Sequence, residues 1–202
     1  LIDALFNTLG WDIGGVVATL LGIPPLKAFA EVARRVEELV SQLDGIERAY
    51  VVAHLYPRLA RQYTSFNEFD KAVKLVGEAI KALEELWSAY EKNKASTEEK
   101  LRPYLELRVK PDLKEELNEL SQLVYYNVAH VYIVSDELDK AVEYAEKACN
   151  LAKKLGYVYY EVLSCGLPPR FKVVRDGAPS IKDLEGRWQR ASQAVGELGT
   201  VA

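Results

Sequence analysis

Few residues in this 202-residue chain could do chemistry, and their types limit what that chemistry could be. The chain has two histidines, His54 and His130, and two cysteines, Cys149 and Cys165, which lie 16 residues apart (165 minus 149). Neither pair has the spacing of a zinc site or of a disulfide framework. We interpret Cys149 as a small buried thiol on an apolar helix face, because free cysteine usually behaves as a small hydrophobic residue.

Two stretches are only superficially similar to catalytic loops. Residues 10–15 contain glycines but lack the Gly-Lys-Ser/Thr of a phosphate-binding loop. Cys165 and Arg170 have one intervening residue fewer than a thiol-phosphatase loop, and no histidine directly precedes the cysteine. Adjacent glutamates on a helix diverge by about 100°, which suits solvated faces rather than a shared acid–base site. We therefore predict no catalytic residue, no metal and no cofactor, and expect that the chain is not an enzyme.

An internal repeat organises the elements that must position these residues. Residues 56–87 recur as residues 125–156 at an offset of 69 (125 minus 56), without a gap. Ten of the 32 aligned positions are identical, whereas roughly two identities are expected at ordinary residue frequencies. The identical pairs are Tyr56/Tyr125, Ala60/Ala129, Tyr63/Tyr132, Glu68/Glu137, Asp70/Asp139, Lys71/Lys140, Ala72/Ala141, Val73/Val142, Ala79/Ala148 and Leu86/Leu155.

The spacing of the aromatic residues and alanines in each copy resembles the tetratricopeptide repeat, a helix–turn–helix unit of about 34 residues. The pattern covers 64 of the 202 residues, with Val76 and Ala145 where that family usually has an aromatic residue. The resemblance implies an all-α fold of antiparallel helical hairpins, stacked as a right-handed array or as a bundle. Small alanines would let the paired helices approach closely.

The resemblance also implies a binding surface, because the first helices of tetratricopeptide units line a groove that holds an extended peptide. The positions that would face this groove are His54, Arg58 and Arg61 in the first copy and Tyr126, Asn127 and His130 in the second. Arg61 and His130 are equivalent in the alignment. Arginine, histidine, asparagine and tyrosine together suit a carboxylate or phosphate on a peptide. We therefore expect a protein-interaction or scaffold module with a protein or peptide partner.

We interpret residues 1–202 as one domain. Proline, glycine and polar residues mark the boundaries of its segments. An apolar segment spans residues 1–24, helical hairpins span 25–164 with the repeat units inside, and a tail spans 165–202. We expect a loop over 94–100, a kink or division at Pro57, and an extended segment over 171–175. Ser180 opens an amphipathic pattern that predicts a final capping helix.

Charge and hydropathy narrow the class of partner. The formal net charge of −4 argues against nucleic acid, and the longest nearly apolar run, residues 13–23, is about half of a membrane span. No basic residue precedes Lys27, so we expect no signal peptide and a cytoplasmic location. The composition, with few Asn, Gln and Cys and abundant Glu, Lys and Arg, is typical of heat-adapted proteins.

Two alternatives to a binding module stay open. One is a homo-oligomeric structural protein that associates through the apolar segment 1–21, which has almost no charged face to offer to solvent, or through the predicted helix that contains Trp188. The other is a small-molecule-binding helical protein with a pocket between helices. The residues that would build that pocket are Tyr125, Tyr126, His130 and Tyr159.

Overall fold

A computed structural model describes residues 25–107, 112–156 and 158–177 of the chain. This part is all α-helical, without a strand, so the prediction of an all-α fold is confirmed. The apolar segment 1–24 and the predicted capping helix after Ser180 lie outside the described residues. The helices are α1 (Pro25–Ser41), α2 (Gly45–Ser65), α3 (Phe69–Lys92), α4 (Lys94–Leu107), α5 (Leu113–Val134), α6 (Leu138–Leu155), α7 (Val158–Cys165) and α8 (Leu167–Asp176).

Two antiparallel hairpins form the body of the fold. Helices α2 and α3 make the first hairpin, and α5 and α6 make the second. Helix α5 packs against both α2 and α3, so the leading helices of the two copies lie side by side. Helix α1 packs on α2, while α7 and α8 pack on α6 at the other end.

Alanines at equivalent positions of the two copies form the tight contacts within each hairpin. All six have no exposed surface, and they are Ala60, Ala72 and Ala79 in the first copy and Ala129, Ala141 and Ala148 in the second. Because the side chain of alanine is only a methyl group, the two helices of each hairpin can approach closely at these positions. The larger side chains that complete the core lie beside them, including Leu59, Leu86 and Val128.

The turn inside each hairpin has the same geometry in both copies. Asn67 and Asp136, which are equivalent at the offset of 69, adopt positive φ angles of 61° and 62°. The amide of Glu68 donates to the carbonyl of Tyr63 at 3.0 Å, and the amide of Glu137 donates to that of Tyr132 at 2.9 Å. This bond satisfies a carbonyl left open by the end of the first helix, as in a Schellman cap. Asn and Asp tolerate the left-handed region better than most residues.

The structure corrects two local predictions and excludes the division that was one alternative at Pro57. Residues 94–100, predicted as a loop, begin helix α4, whose Thr97 hydroxyl donates to the Ala89 carbonyl at 3.0 Å. Pro57 lies inside the continuous helix α2 and does not divide it. Residues 171–175, predicted as extended within the 165–202 tail, belong to helix α8, which has prolines in its first turn. Proline fits there because the first helical amides have no intrahelical partner.

The interpretation of Cys149 as a free thiol was wrong, because its sulfur is bonded to that of Cys165. Gly156 ends α6 in the left-handed conformation, with φ of 67°, and the chain reverses into α7. The reversal brings the end of α7 back beside α6, where the Cα atoms of Cys149 and Cys165 are 4.5 Å apart. The disulfide therefore holds α7 against the second hairpin.

We expect the C149A/C165A double variant to lose about 3 kcal/mol in the free energy of unfolding. A cross-link between residues 16 positions apart removes that much unfolded-chain entropy in the loop-closure model. Urea unfolding followed by circular dichroism measures the loss. Reductant should destabilise the wild-type protein by a similar amount and leave the double variant unchanged; equal sensitivity of the two proteins would contradict the disulfide.

Candidate functional site

Helices α2 and α5 bring together four of the six predicted binding residues. The Arg61 Nη1 atom donates to the Asn127 Oδ1 atom at 3.3 Å, and the guanidinium carbon of Arg61 lies 5.8 Å from the ring centroid of Tyr126. The ring centroids of Tyr126 and His130 are 4.7 Å apart. We call Arg61, Tyr126, Asn127 and His130 the Arg61 cluster.

The position of Arg61 is set by groups that are themselves held in place. Asn127 is buried, and its amide nitrogen donates to the Leu123 carbonyl at 2.8 Å, which directs its oxygen toward Arg61. The face of Tyr126 attracts the guanidinium through its ring quadrupole. Arg61 itself is exposed. The result is an oriented cation at the surface, between the two copies of the repeat.

His130 is held between two aromatic rings and carries no charge at neutral pH. Its ring meets Tyr126 on one side and Phe171 of α8 on the other, at 5.8 Å and 85° from the latter. Burial, and secondarily the charge of Arg61, lowers the pKa of His130 from its ordinary value to about 4. Its Nε2 atom is buried and has no hydrogen-bond partner among the residues that the structure describes. His130 therefore contributes an uncharged imidazole ring to the cluster.

The remaining two predicted residues, Arg58 and His54, lie on the same helix as Arg61. Arg58 is half-buried about one turn before Arg61. His54 is fully buried, and its Nε2 atom lies 3.0 Å from the Oε1 atom of Glu116, which also accepts a bond from the Tyr50 hydroxyl at 2.8 Å. All three side chains are inside the core, so His54 is in no position to contact a partner at the surface.

Sequence reasoning missed the contribution of α8 to this region. Phe171 is 6% exposed and packs against His130, so α8 covers one side of the second copy. The signal for this helix was present in residues 166–169, Gly-Leu-Pro-Pro, because proline is common in the first turn of a helix. The short strand-like alternation of the residues that follow had suggested an extended segment instead.

A cleft of about 290 Å³ opens between α3 on one side and α5 and α6 on the other. We call it the aromatic cleft, and its lining residues are Ile80, Leu83, Glu84, Trp87, Ser88, Glu91, Tyr125, Tyr144 and Lys147. The Trp87 indole nitrogen donates to the Ser121 hydroxyl at 2.9 Å. Of these residues, the sequence had singled out only Tyr125 as a pocket residue.

The four residues of the alternative small-molecule pocket lie in different surroundings. Tyr125 contacts Tyr144 in the aromatic cleft, whereas its neighbour Tyr126 belongs to the Arg61 cluster. Successive residues of a helix point about 100° apart, which separates the two rings. Tyr159 on α7 is 70% exposed.

Residues 25–107, 112–156 and 158–177 contain no group of three or more His, Cys, Asp or Glu side chains placed to hold a metal ion. Among the same residues, no helix combines the length and apolar character that crossing a bilayer requires.

Comparisons of the chain with protein-family models, with curated proteins and with solved structures found no match. The tetratricopeptide resemblance therefore rests on the duplicated residues, and the family stays a prediction.

We expect the stability of the wild-type protein to fall as the pH falls from about 6.5 to 4, in part through His130. Between its ordinary pKa of 6.5 and its folded pKa of about 4, the unfolded chain binds the proton and the folded chain does not, so unfolding is favoured. We expect His130 to account for about 1 to 3 kcal/mol of the loss in the free energy of unfolding, because solvent partly screens a half-buried ring.

Urea unfolding of the wild-type protein and of His130→Gln at pH 7 and pH 4.5 isolates this share. The carboxylates titrate alike in both proteins, so the difference between the two pH dependences belongs to His130. His130→Gln should lose less stability on acidification. Identical pH dependences would show that the ring is protonated as easily in the folded chain as in the unfolded one.

Proposed function

We propose that this chain is a non-enzymatic interaction module that binds a peptide or partner protein through the leading helices of its two repeats. The observation that carries the proposal is the Arg61 cluster, in which residues 66 positions apart (127 minus 61) meet at 3.3 Å on adjacent helices. The tetratricopeptide resemblance favours the same surface. It also favours a single domain made of stacked hairpins.

The chemistry of the cluster suits an anionic group on the partner. Arg61 presents a planar set of N–H donors, and such donors form strong, often bidentate bonds with carboxylates and phosphates. Neutral His130 and the polar edge of Tyr126 add no negative charge beside it. Because Asn127 and Tyr126 hold the guanidinium before binding, less side-chain entropy is lost when the partner arrives.

The proposed location is the cytoplasm of a heat-adapted organism. A reducing cytosol usually keeps thiols free, but intracellular proteins of hyperthermophiles are an exception and carry disulfides. The Cys149–Cys165 bond and the composition of the chain both favour the proposed location in a heat-adapted organism.

Arg61→Ala should weaken binding of an anionic peptide at least about tenfold. A hydrogen bond to a charged group contributes about 1.5 to 3 kcal/mol, and the variant removes that donor. A pool of fluorescein-labelled decapeptides, made with free, amidated or phosphoserine-containing ends, provides the probe. The tightest binder of the wild-type protein is then titrated against the variants by fluorescence polarisation.

Arg48→Ala is the matched control, because Arg48 is an exposed arginine on the same helix, outside the cluster. It should bind as the wild-type protein does. Preference for the free carboxylate or for the phosphoserine identifies the anionic group. Equal binding of the amidated, unphosphorylated peptide, or equal affinity of Arg61→Ala and Arg48→Ala, would refute the proposed role of the cluster.

A homo-oligomeric structural protein is the second candidate, and the exposed face of α7 favours it. Val158, Tyr159 and Val162 are 73%, 70% and 72% exposed, and they lie on one side of a short helix. Contiguous apolar surface of this kind often marks an association surface. The N-terminal segment predicted for this role lies outside the described residues.

Sedimentation velocity at micromolar protein concentration tests the second candidate. If α7 mediates association, the wild-type protein should sediment as an oligomer and Val162→Glu should sediment as a monomer, because a buried charge without a partner is costly. A wild-type monomer at that concentration would remove this candidate and leave the interaction module.

A further inference from the structure

The aromatic cleft is separate from the Arg61 cluster and is built by different helices. It lies between α3 and the second hairpin, whereas the cluster lies between α2 and α5. Its volume of about 290 Å³ is at the lower end of the range for small-molecule sites. The cleft therefore suits a single side chain better than a cofactor.

Two aromatic walls of the cleft already attract a cation. The ammonium nitrogen of Lys147 lies 4.5 Å from the ring centroid of Tyr144 and 6.0 Å from that of Tyr125. At these distances the negative face of each ring stabilises a positive charge. Lys147 is itself paired with Glu143 at 2.6 Å, near the surface. Exposed pairs of this kind are weak, so a competing cation can displace the lysine.

The opposite wall of the cleft carries two carboxylates. Glu84 and Glu91 are exposed on α3, seven residues or about two turns apart. Within the described part of the chain, neither takes part in an ion pair. Burial raises the pKa of the Tyr125 hydroxyl, Lys147 opposes that effect, and the charge of Glu84 raises it further. Glu84 therefore acts electrostatically on the cleft itself.

We propose that the aromatic cleft is a second binding site, which receives an arginine side chain of a partner protein. The guanidinium plane would stack on Tyr144, beside the ring of Tyr125, which is tilted by 47° to it, while its N–H groups donate to Glu84 and Glu91. Charge complementarity selects this occupant, since the Lys147–Glu143 pair is neutral and the two α3 carboxylates leave an excess of negative charge. The proposal does not depend on the Arg61 cluster.

An acetylated and amidated Gly-Arg-Gly peptide tests the proposal against the same peptide with citrulline, which has the shape of arginine without its charge. The indole N–H resonance of Trp87 in a ¹⁵N-labelled sample reports binding, because that group lines the cleft and is fixed by Ser121. We expect the arginine peptide to saturate this shift at millimolar concentration and the citrulline peptide to bind at least fivefold more weakly.

Substitutions of the charged residues in the cleft test which of them act on the arginine side chain. The Glu84→Gln/Glu91→Gln double variant should bind the arginine peptide at least fivefold more weakly, while Glu85→Gln, an exposed change on the same helix outside the cleft, should bind normally. Lys147→Gln should bind more tightly, because it removes the cation that occupies the rings. Arg61→Ala should have no effect, which separates this site from the anion site.

Equal binding of the two peptides would overturn the proposal. So would normal binding by the Glu84→Gln/Glu91→Gln variant. Weaker binding by Lys147→Gln would also overturn it, since that result would mean that Lys147 holds a carboxylate of the ligand rather than competing with its cation. These exposed substitutions leave the core unchanged, so loss of folding does not confuse the outcomes.

Discussion

The contact between α2 and α5 is the constraint on which the other features of this protein depend. In the first turn of α5, the Glu116 carboxylate accepts a bond from Tyr50 and lies 3.0 Å from His54, and all three side chains are fully buried. A buried carboxylate is tolerated only when nearby donors replace the water that it has lost. Sliding one helix along the other would separate Glu116 from these donors. The polar network thus favours one register of the two helices, whose contact also contains many apolar side chains.

That register also decides what the two copies present at the surface. Arg61 and His130 occupy equivalent positions of the repeat, yet one is an exposed cation and the other a half-buried neutral ring. The difference arises from what lies beyond each copy, because Phe171 of α8 packs on His130. A duplicated hairpin has therefore acquired two different surfaces without any change in its own turn, whose φ angles agree within a degree.

Helix α5 serves two distinct surfaces through neighbouring residues. Tyr125 faces the aromatic cleft and Tyr126 faces the Arg61 cluster, since one residue along a helix turns the side chain by about 100°. One surface is organised around an exposed arginine and the other around carboxylates and ring faces. The two surfaces thus differ in the charge that they present and share one helix.

The sequence by itself determined the features that arise from local patterns. The all-α class, the alanines that pack each hairpin and the repeat itself followed from the spacing of residues, because such patterns act over a few positions of the chain. The predicted surface residues were named from the repeat, and four of them do lie together. Tertiary structure alone decided that His54 meets Glu116, 62 residues away, inside the core. It also decided that Cys149 meets Cys165, that α8 covers His130, and that Trp87 and Tyr144 border one cleft. Each of these depends on how separate helices pack, and no local pattern of residues contains the distance between two helices.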